Sequence, residues 1–145
     1  MKRRKRKMCN RNCPKCEDSI WIQRARDFIN NTQQTTDSRI QYQIATLRYL
    51  IENQCFGYCC GEDINTLMQQ VNFQGTRETF QHNVLIPLKH KGIIASLVYP
   101  PRNCGAVFIP CSCEDVASVI EQYVNRILSE IQNNIIPLIN LLRNG

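Results

Sequence analysis

Apolar residues recur along most of this chain at spacings that predict helices, and one stretch breaks the pattern with runs suited to paired strands. Between 18 and 30, Ile20, Trp21, Ile22, Ala25, Phe28 and Ile29 supply apolar faces behind Asp18 or Ser19, either of which can cap a helix. Residues 30–37, NNTQQTTD, contain no apolar side chain and mark a linker or a domain edge. A second helix begins near Ser38 and carries Ile40, Ile44, Leu47, Leu50 and Ile51 toward the core. Gly57 and Gly61 then bracket a break. A shorter helix follows, with Glu62 and Asp63 in its first turn and Ile64, Leu67, Met68 and Val71 facing inward. The turn Asn72-Phe73-Gln74-Gly75 stops it. Thr76 caps the next helix, whose buried side carries Phe80, Val84, Leu85 and Leu88. Lys89, His90, Lys91 and Gly92 have the composition of a helix end, and Pro87 is expected to kink the last turn.

After Gly92 the period changes. Residues 93–99, IIASLVY, read as a strand, 100–105 as a turn or loop, and 106–110 as a returning strand ended by Pro110. Together they predict a β-hairpin with a wide tip. From Glu114 and Asp115, acids suited to a helix start, apolar residues recur at Val116, Ile120, Val124, Ile127, Ile131, Ile135, Leu138 and Leu142. That is one amphipathic helix with a coiled-coil-like seam, its last turns open to bending at Pro137. Residues 114–142 would run roughly 43 Å, longer than a domain of this size is wide, so part of the seam needs an apolar partner. A second copy of the chain is the expected partner, giving a homodimer through 114–142; packing on the helix at 19–30 is the alternative.

The chain thus divides into a basic, cysteine-containing arm (1–17), a short helix and polar linker (18–37), a central domain (38–113) and a C-terminal dimerisation helix (114–145). The fold class expected is α+β and mostly helical. With 145 residues and 43% hydrophobic composition the chain can bury one modest core. Its net charge of +6 is unevenly placed. Lys2, Arg3, Arg4, Lys5, Arg6 and Lys7 are consecutive cations, and the rest of the chain is neutral overall. Residues 72–104 hold Arg77, Lys89, Lys91 and Arg102 against Glu78. Positive charge in the arm and the middle suits a polyanionic partner.

The order of elements from 38 to 110, three helices with a tight turn before the third and then a hairpin, resembles the winged helix-turn-helix family. Residues 64–71 would be the supporting helix, NFQG at 72–75 the turn, 76–91 the recognition helix and 92–110 the wing. The resemblance covers about half the chain and implies a helix in the major groove of double-stranded DNA with the wing on the backbone or minor groove. With Phe80, Val84 and Leu88 inward, the helical period turns Gly75, Glu78, Thr79, His82 and Ile86 outward. Thr79, His82 and Asn83 are types that read base edges, with Thr76 or Gln81 at the margin and Arg77 in reach of a phosphate or a guanine. Lys89, Lys91 and Arg102 would clamp the backbone. The expectation is a sequence-specific DNA-binding protein, a transcription regulator or mobile-element accessory factor, cytoplasmic and nucleoid-associated. The alternative is a protein–protein interaction module of the same fold whose arm contacts RNA or other phosphates.

Nine cysteines are about 6% of the chain, below the density of short disulfide scaffolds, and most are expected to stay reduced. Cys9, Cys13 and Cys16 have knuckle-like spacing and would hold zinc if a fourth ligand came from elsewhere; no cofactor is otherwise required. Cys55, Cys59 and Cys60, and Cys104, Cys111 and Cys113, form two more triplets, read as small buried hydrophobes. No Gly-rich phosphate loop, nucleophile elbow or HExxH motif is present, and His82 and His90 are better placed for the helix than for activating a cysteine, so no enzyme is expected. No apolar run reaches membrane-spanning length.

Overall fold

The computed structural model describes residues 19–145, which are mostly helical with one small antiparallel sheet. Helix α1 is Ile20–Asn31 and α2 is Ser38–Glu52. Both start where side-chain caps dictate. Ser19 accepts from the Ile22 N–H, and Asp37 accepts from the Arg39 N–H. A short 3₁₀ turn, Tyr58–Cys60, precedes α3, Ile64–Gln70. Helix α4 spans 77–90 as Arg77–Phe80, a π turn at Gln81–Leu85, and Ile86–His90. Strands β1, Ala95–Ser96, and β2, Val107–Phe108, are antiparallel, with Ala95 opposite Phe108. Helix α5 spans 113–144 as Cys113–Glu130, a π turn at Ile131–Ile135, and Ile136–Asn144.

One core holds these elements together. Ile22, Leu47, Leu50, Leu67, Phe80, Val84 and Leu88 are fully buried at the meeting of α1 to α4, and Val107 and Ile109 close it from the sheet side. Phe73, in the turn before α4, packs edge-on against Tyr42 and Phe80, with ring centroids 4.9 and 5.0 Å apart. The turn is therefore a wedge that fixes the angle of α4, besides ending α3. Asn72 takes the left-handed conformation this turn requires, at φ 54°.

The hairpin is shorter than the apolar runs suggest, for reasons in its backbone. The Ile93 N–H is spent on the Leu88 carbonyl and the Gly92 N–H on Lys89, a left-handed glycine closure of α4 at φ 69°. Leu97 N–H to Ala106 carbonyl, 2.9 Å, is the last rung before Pro100 and Pro101, which have no N–H to give. Past β2 the chain changes neighbours. Val107 exchanges both backbone hydrogen bonds with Glu62 at 2.7 and 3.0 Å, and Ile109 bonds to Cys55 and Gly57, 2.9 Å each. Glu62 is thus buried in a strand-like bridge, whereas its position near Ile64 suggested the first turn of α3. At this crossing Gly105 donates to the Gly61 carbonyl at 3.0 Å, close enough that a Cβ on Gly105 would lie 2.1 Å from the Glu62 carbonyl carbon.

Asp115, the third residue of α5, is buried. Its carboxylate accepts from the N–H groups of Cys111, Ser112 and Tyr58, at 2.7, 3.2 and 3.3 Å. It caps its own helix and ties that helix to the 57–60 turn. Farther on, α5 leaves the core. Ile120, Val124, Ile127, Ile131, Ile135, Leu138 and Leu142 are all exposed, Leu142 by 84%. Their steps repeat every eleven residues, a period that keeps a seam straight or slightly right-handed. At both prolines the helix continues through a π turn, Gln81–Leu85 before Pro87 and Ile131–Ile135 before Pro137.

Gly105→Ala should lower stability by about 3 kcal/mol or more, since a methyl there forces the crossing backbones apart. Urea unfolding checks this, and Gly61→Ala, whose Cβ would lie 2.3 Å from the Gly105 carbonyl oxygen, should behave alike.

Candidate nucleic-acid interface

Helix α4 presents three longitudinal faces. Phe80, Val84, Leu85 and Leu88 are buried. Opposite them, Glu78, Thr79 and His82 are exposed with Gly75 before them, as the period requires, whereas Ile86, expected on the same face, is half-buried. No segment among the described residues covers this ridge. Thr76 caps the helix by accepting from the Thr79 N–H at 3.1 Å, and the two hydroxyl oxygens lie 2.9 Å apart. Both threonines are exposed, so the start of α4 offers a hydroxyl pair in a fixed place.

The remaining predicted residues fall on opposite flanks. On one side, His82, Asn83 and Lys91 line a cleft of about 300 Å³ shared with Phe28 of α1 and with Arg39 and Gln43 of α2. The Lys91 ammonium sits 5.6 Å from the centre of the Phe28 ring, a cation–π contact that steadies it on the α1 side. On the other side, Arg77 and Lys89 face the hairpin and α5. Arg77 is exposed, whereas Lys89 is half-buried, and that desolvation holds its ammonium below the ordinary lysine range. Arg102 stands apart, exposed in the turn of the hairpin. Thr76, Thr79 and His82 therefore share one ridge, with cations on both flanks and at the hairpin tip.

Pro87 explains how α4 is held. Proline has no N–H, so the Asn83 carbonyl lacks its usual donor four residues on. The buried Gln43 amide of α2 donates to it at 2.9 Å. The expected kink is thus a local π turn whose spare acceptor becomes a link between helices. Sequence reasoning missed this link, and it also missed Arg126 of α5, which faces the same cleft as Arg77 and Lys89. Only the fold brings Arg126 near α4.

Cys9, Cys13 and Cys16, the zinc candidates, lie outside the described residues. Among the described residues, no three His, Cys, Asp or Glu side chains assemble as metal ligands. Among the described residues Cys59, Cys60 and Cys111 are disulfide-bonded, a pairing that the expectation of mostly reduced thiols did not single out. Folding brings Cys111 to the 57–60 turn, its Sγ 3.4 Å from where a Cβ on Gly57 would stand, a proximity that sequence spacing conceals. Cys60 is accordingly not the plain buried hydrophobe expected of it; Cys55, Cys104 and Cys113 are thiols. Among the described residues no helix is long and apolar enough to cross a membrane.

The architecture defines a small helical domain that displays one polar helix ridge beside a short hairpin, with a long apolar helix leaving it. No family model matches the chain. It is 46% identical over 125 residues to a Methanocaldococcus jannaschii protein named "Putative control protein C.MjaVP", covering 86% of this chain and 78% of that one. The chain belongs to the family of that control protein. No solved structure matches it.

Gln43→Leu should cost about 1–3 kcal/mol by stranding the Asn83 carbonyl. Adding Pro87→Ala, which restores the helical donor, should recover part of that loss; a double-mutant cycle in urea measures the coupling.

Proposed function

We propose that this chain is a regulator that binds double-stranded DNA as a winged helix-turn-helix protein, with α4 in the major groove and the hairpin as its wing. The observation that carries the reading is the uncovered ridge Thr76, Thr79 and His82, set at the start of a rigidly held helix and flanked by Arg77, Lys89, Lys91 and Arg102. Short polar side chains at that end of a helix suit base edges, while the flanking cations suit the backbone. The Glu62–Val107 bridge beside β2 adds the third strand-like segment that such a wing needs to be anchored to its helices. Membership in a family containing a protein named for control supports a regulatory role, as a transcription regulator or mobile-element accessory factor. The reading requires no cofactor and no catalytic step.

The exposed seam of α5 is read as a homodimer interface. A run of large apolar side chains on one helix face, from Ile120 to Leu142, is not stable in water over this length. A second copy supplies a matching seam and would place two α4 ridges on one duplex.

A mobility-shift assay on random duplex tests the first reading. Affinity should fall on the order of a hundredfold between about 50 and 200 mM salt if about four phosphates are contacted. Charge reversal at Lys89, Lys91 and Arg102 should weaken binding to all sequences, whereas Thr79→Ala or His82→Ala should change sequence preference. Binding without salt dependence, or none, would favour a protein-interaction module instead. For the dimer, Ile127→Asp with Ile131→Asp should yield a folded monomer in sedimentation equilibrium, against a dimer for the parent chain.

A further inference from the structure

A cleft of about 440 Å³ opens between the wing-side flank of α4, the hairpin and α5. Arg77 and Lys89 line it from the two ends of α4, Arg126 lines it from α5, and among the described residues Asp63 is the one carboxylate on its wall. None of the three cations makes a hydrogen bond or ion pair with the described residues. Lys89 is partly stripped of water. An anion seated beside it would offset that cost. The cleft's lining is mostly polar, with an apolar margin where Val98 and Pro100 of the hairpin meet the Tyr123 ring.

That margin is braced. Gln122 of α5 donates to the Tyr99 carbonyl at 2.8 Å and accepts from the Tyr99 N–H at 2.9 Å. The Tyr123 hydroxyl donates to the Ser96 carbonyl at 3.4 Å. The hairpin and α5 therefore hold one relative position around the cleft.

We propose that this cleft binds a small phosphate-bearing organic molecule, its dianionic head among Arg77, Lys89 and Arg126 and its less polar body against Val98, Pro100 and Tyr123. Three cations against Asp63 leave a surplus that a phosphate monoester, close to a dianion at neutral pH, neutralises. Guanidinium forks match phosphate oxygens in pairs, and two of the three cations are arginines. The volume falls within the range of about 300–1,000 Å³ typical of small-molecule sites. Arg77 and Lys89 are also two of the proposed duplex contacts, so an occupant would compete with DNA. That consequence rests on the DNA-binding reading; the ligand site itself does not.

Thermal unfolding of the full chain in inorganic pyrophosphate, against sodium chloride at equal ionic strength, tests the site without DNA. Pyrophosphate at about ten times its Kd should raise Tm by about 3–6 °C. Arg126→Gln and Lys89→Gln should each remove most of that rise, while Arg48→Gln, exposed on α2, should keep it. No rise in the parent chain overturns the proposal, and so does a rise that survives both cleft variants. If Arg126→Gln weakens duplex binding while pyrophosphate leaves Tm unchanged, the cleft belongs to the DNA backbone and the proposal also fails.

Discussion

At residues 105–109 the returning arm of the hairpin is gripped by segments on both sides. Val107 exchanges backbone hydrogen bonds with Glu62 while pairing with Ser96, and Ile109 reaches back to Cys55 and Gly57. The arm can enter only because Gly105 and Gly61 cross without side chains. This one crossing sets where the hairpin lies against α4, because β1 follows α4 through a closed glycine cap. It also sets where α5 begins, because Asp115 draws its N–H partners from the segments flanking the crossing. The position of the ridge on α4, the cleft beside it and the departure of α5 all follow from that meeting of backbones.

Helix α4 is held on its other sides by equally specific means. Phe73 wedges the turn before it between Tyr42 and Phe80, and Gln43 completes the hydrogen bonding that Pro87 leaves open. A helix fixed at its start, middle and end can hold short side chains in register with a regular polymer at little further entropic cost. The same rigidity separates the cations into two sets. Lys91 rests on α1, whereas Arg77 and Lys89 look toward the hairpin and Arg126. Positive charge that looked like one patch in the sequence is two surfaces with a polar ridge between them.

Much of this was legible in the sequence because it is local. The periods of Ile44, Leu47 and Leu50, or of Phe80, Val84 and Leu88, declare helices and their buried faces, and Ser19, Asp37 and Thr76 are caps of the usual types. The outward set on α4 follows from the same period. Non-local contacts stayed hidden. Glu62 looked like a helix-start acid because its partner Val107 is 45 residues away. The strand runs at 93–99 and 106–110 looked longer than they are, since nothing local shows that the Ile93 N–H closes a helix or that Ile109 pairs elsewhere. Arg126 lies in the seam helix and gave no sign of facing α4. The disulfides of Cys59, Cys60 and Cys111 depend likewise on a fold that count and spacing do not encode.

The central claim is that the outer ridge of α4 and the hairpin meet a duplex together. Amide hydrogen exchange of the full chain, with and without saturating duplex, measures that directly. Slowed exchange should concentrate at the start of α4 and in the hairpin loop around Arg102, with α1 and α2 little changed. Slowing confined to α5 or α1, with those two regions unaltered, would contradict that claim.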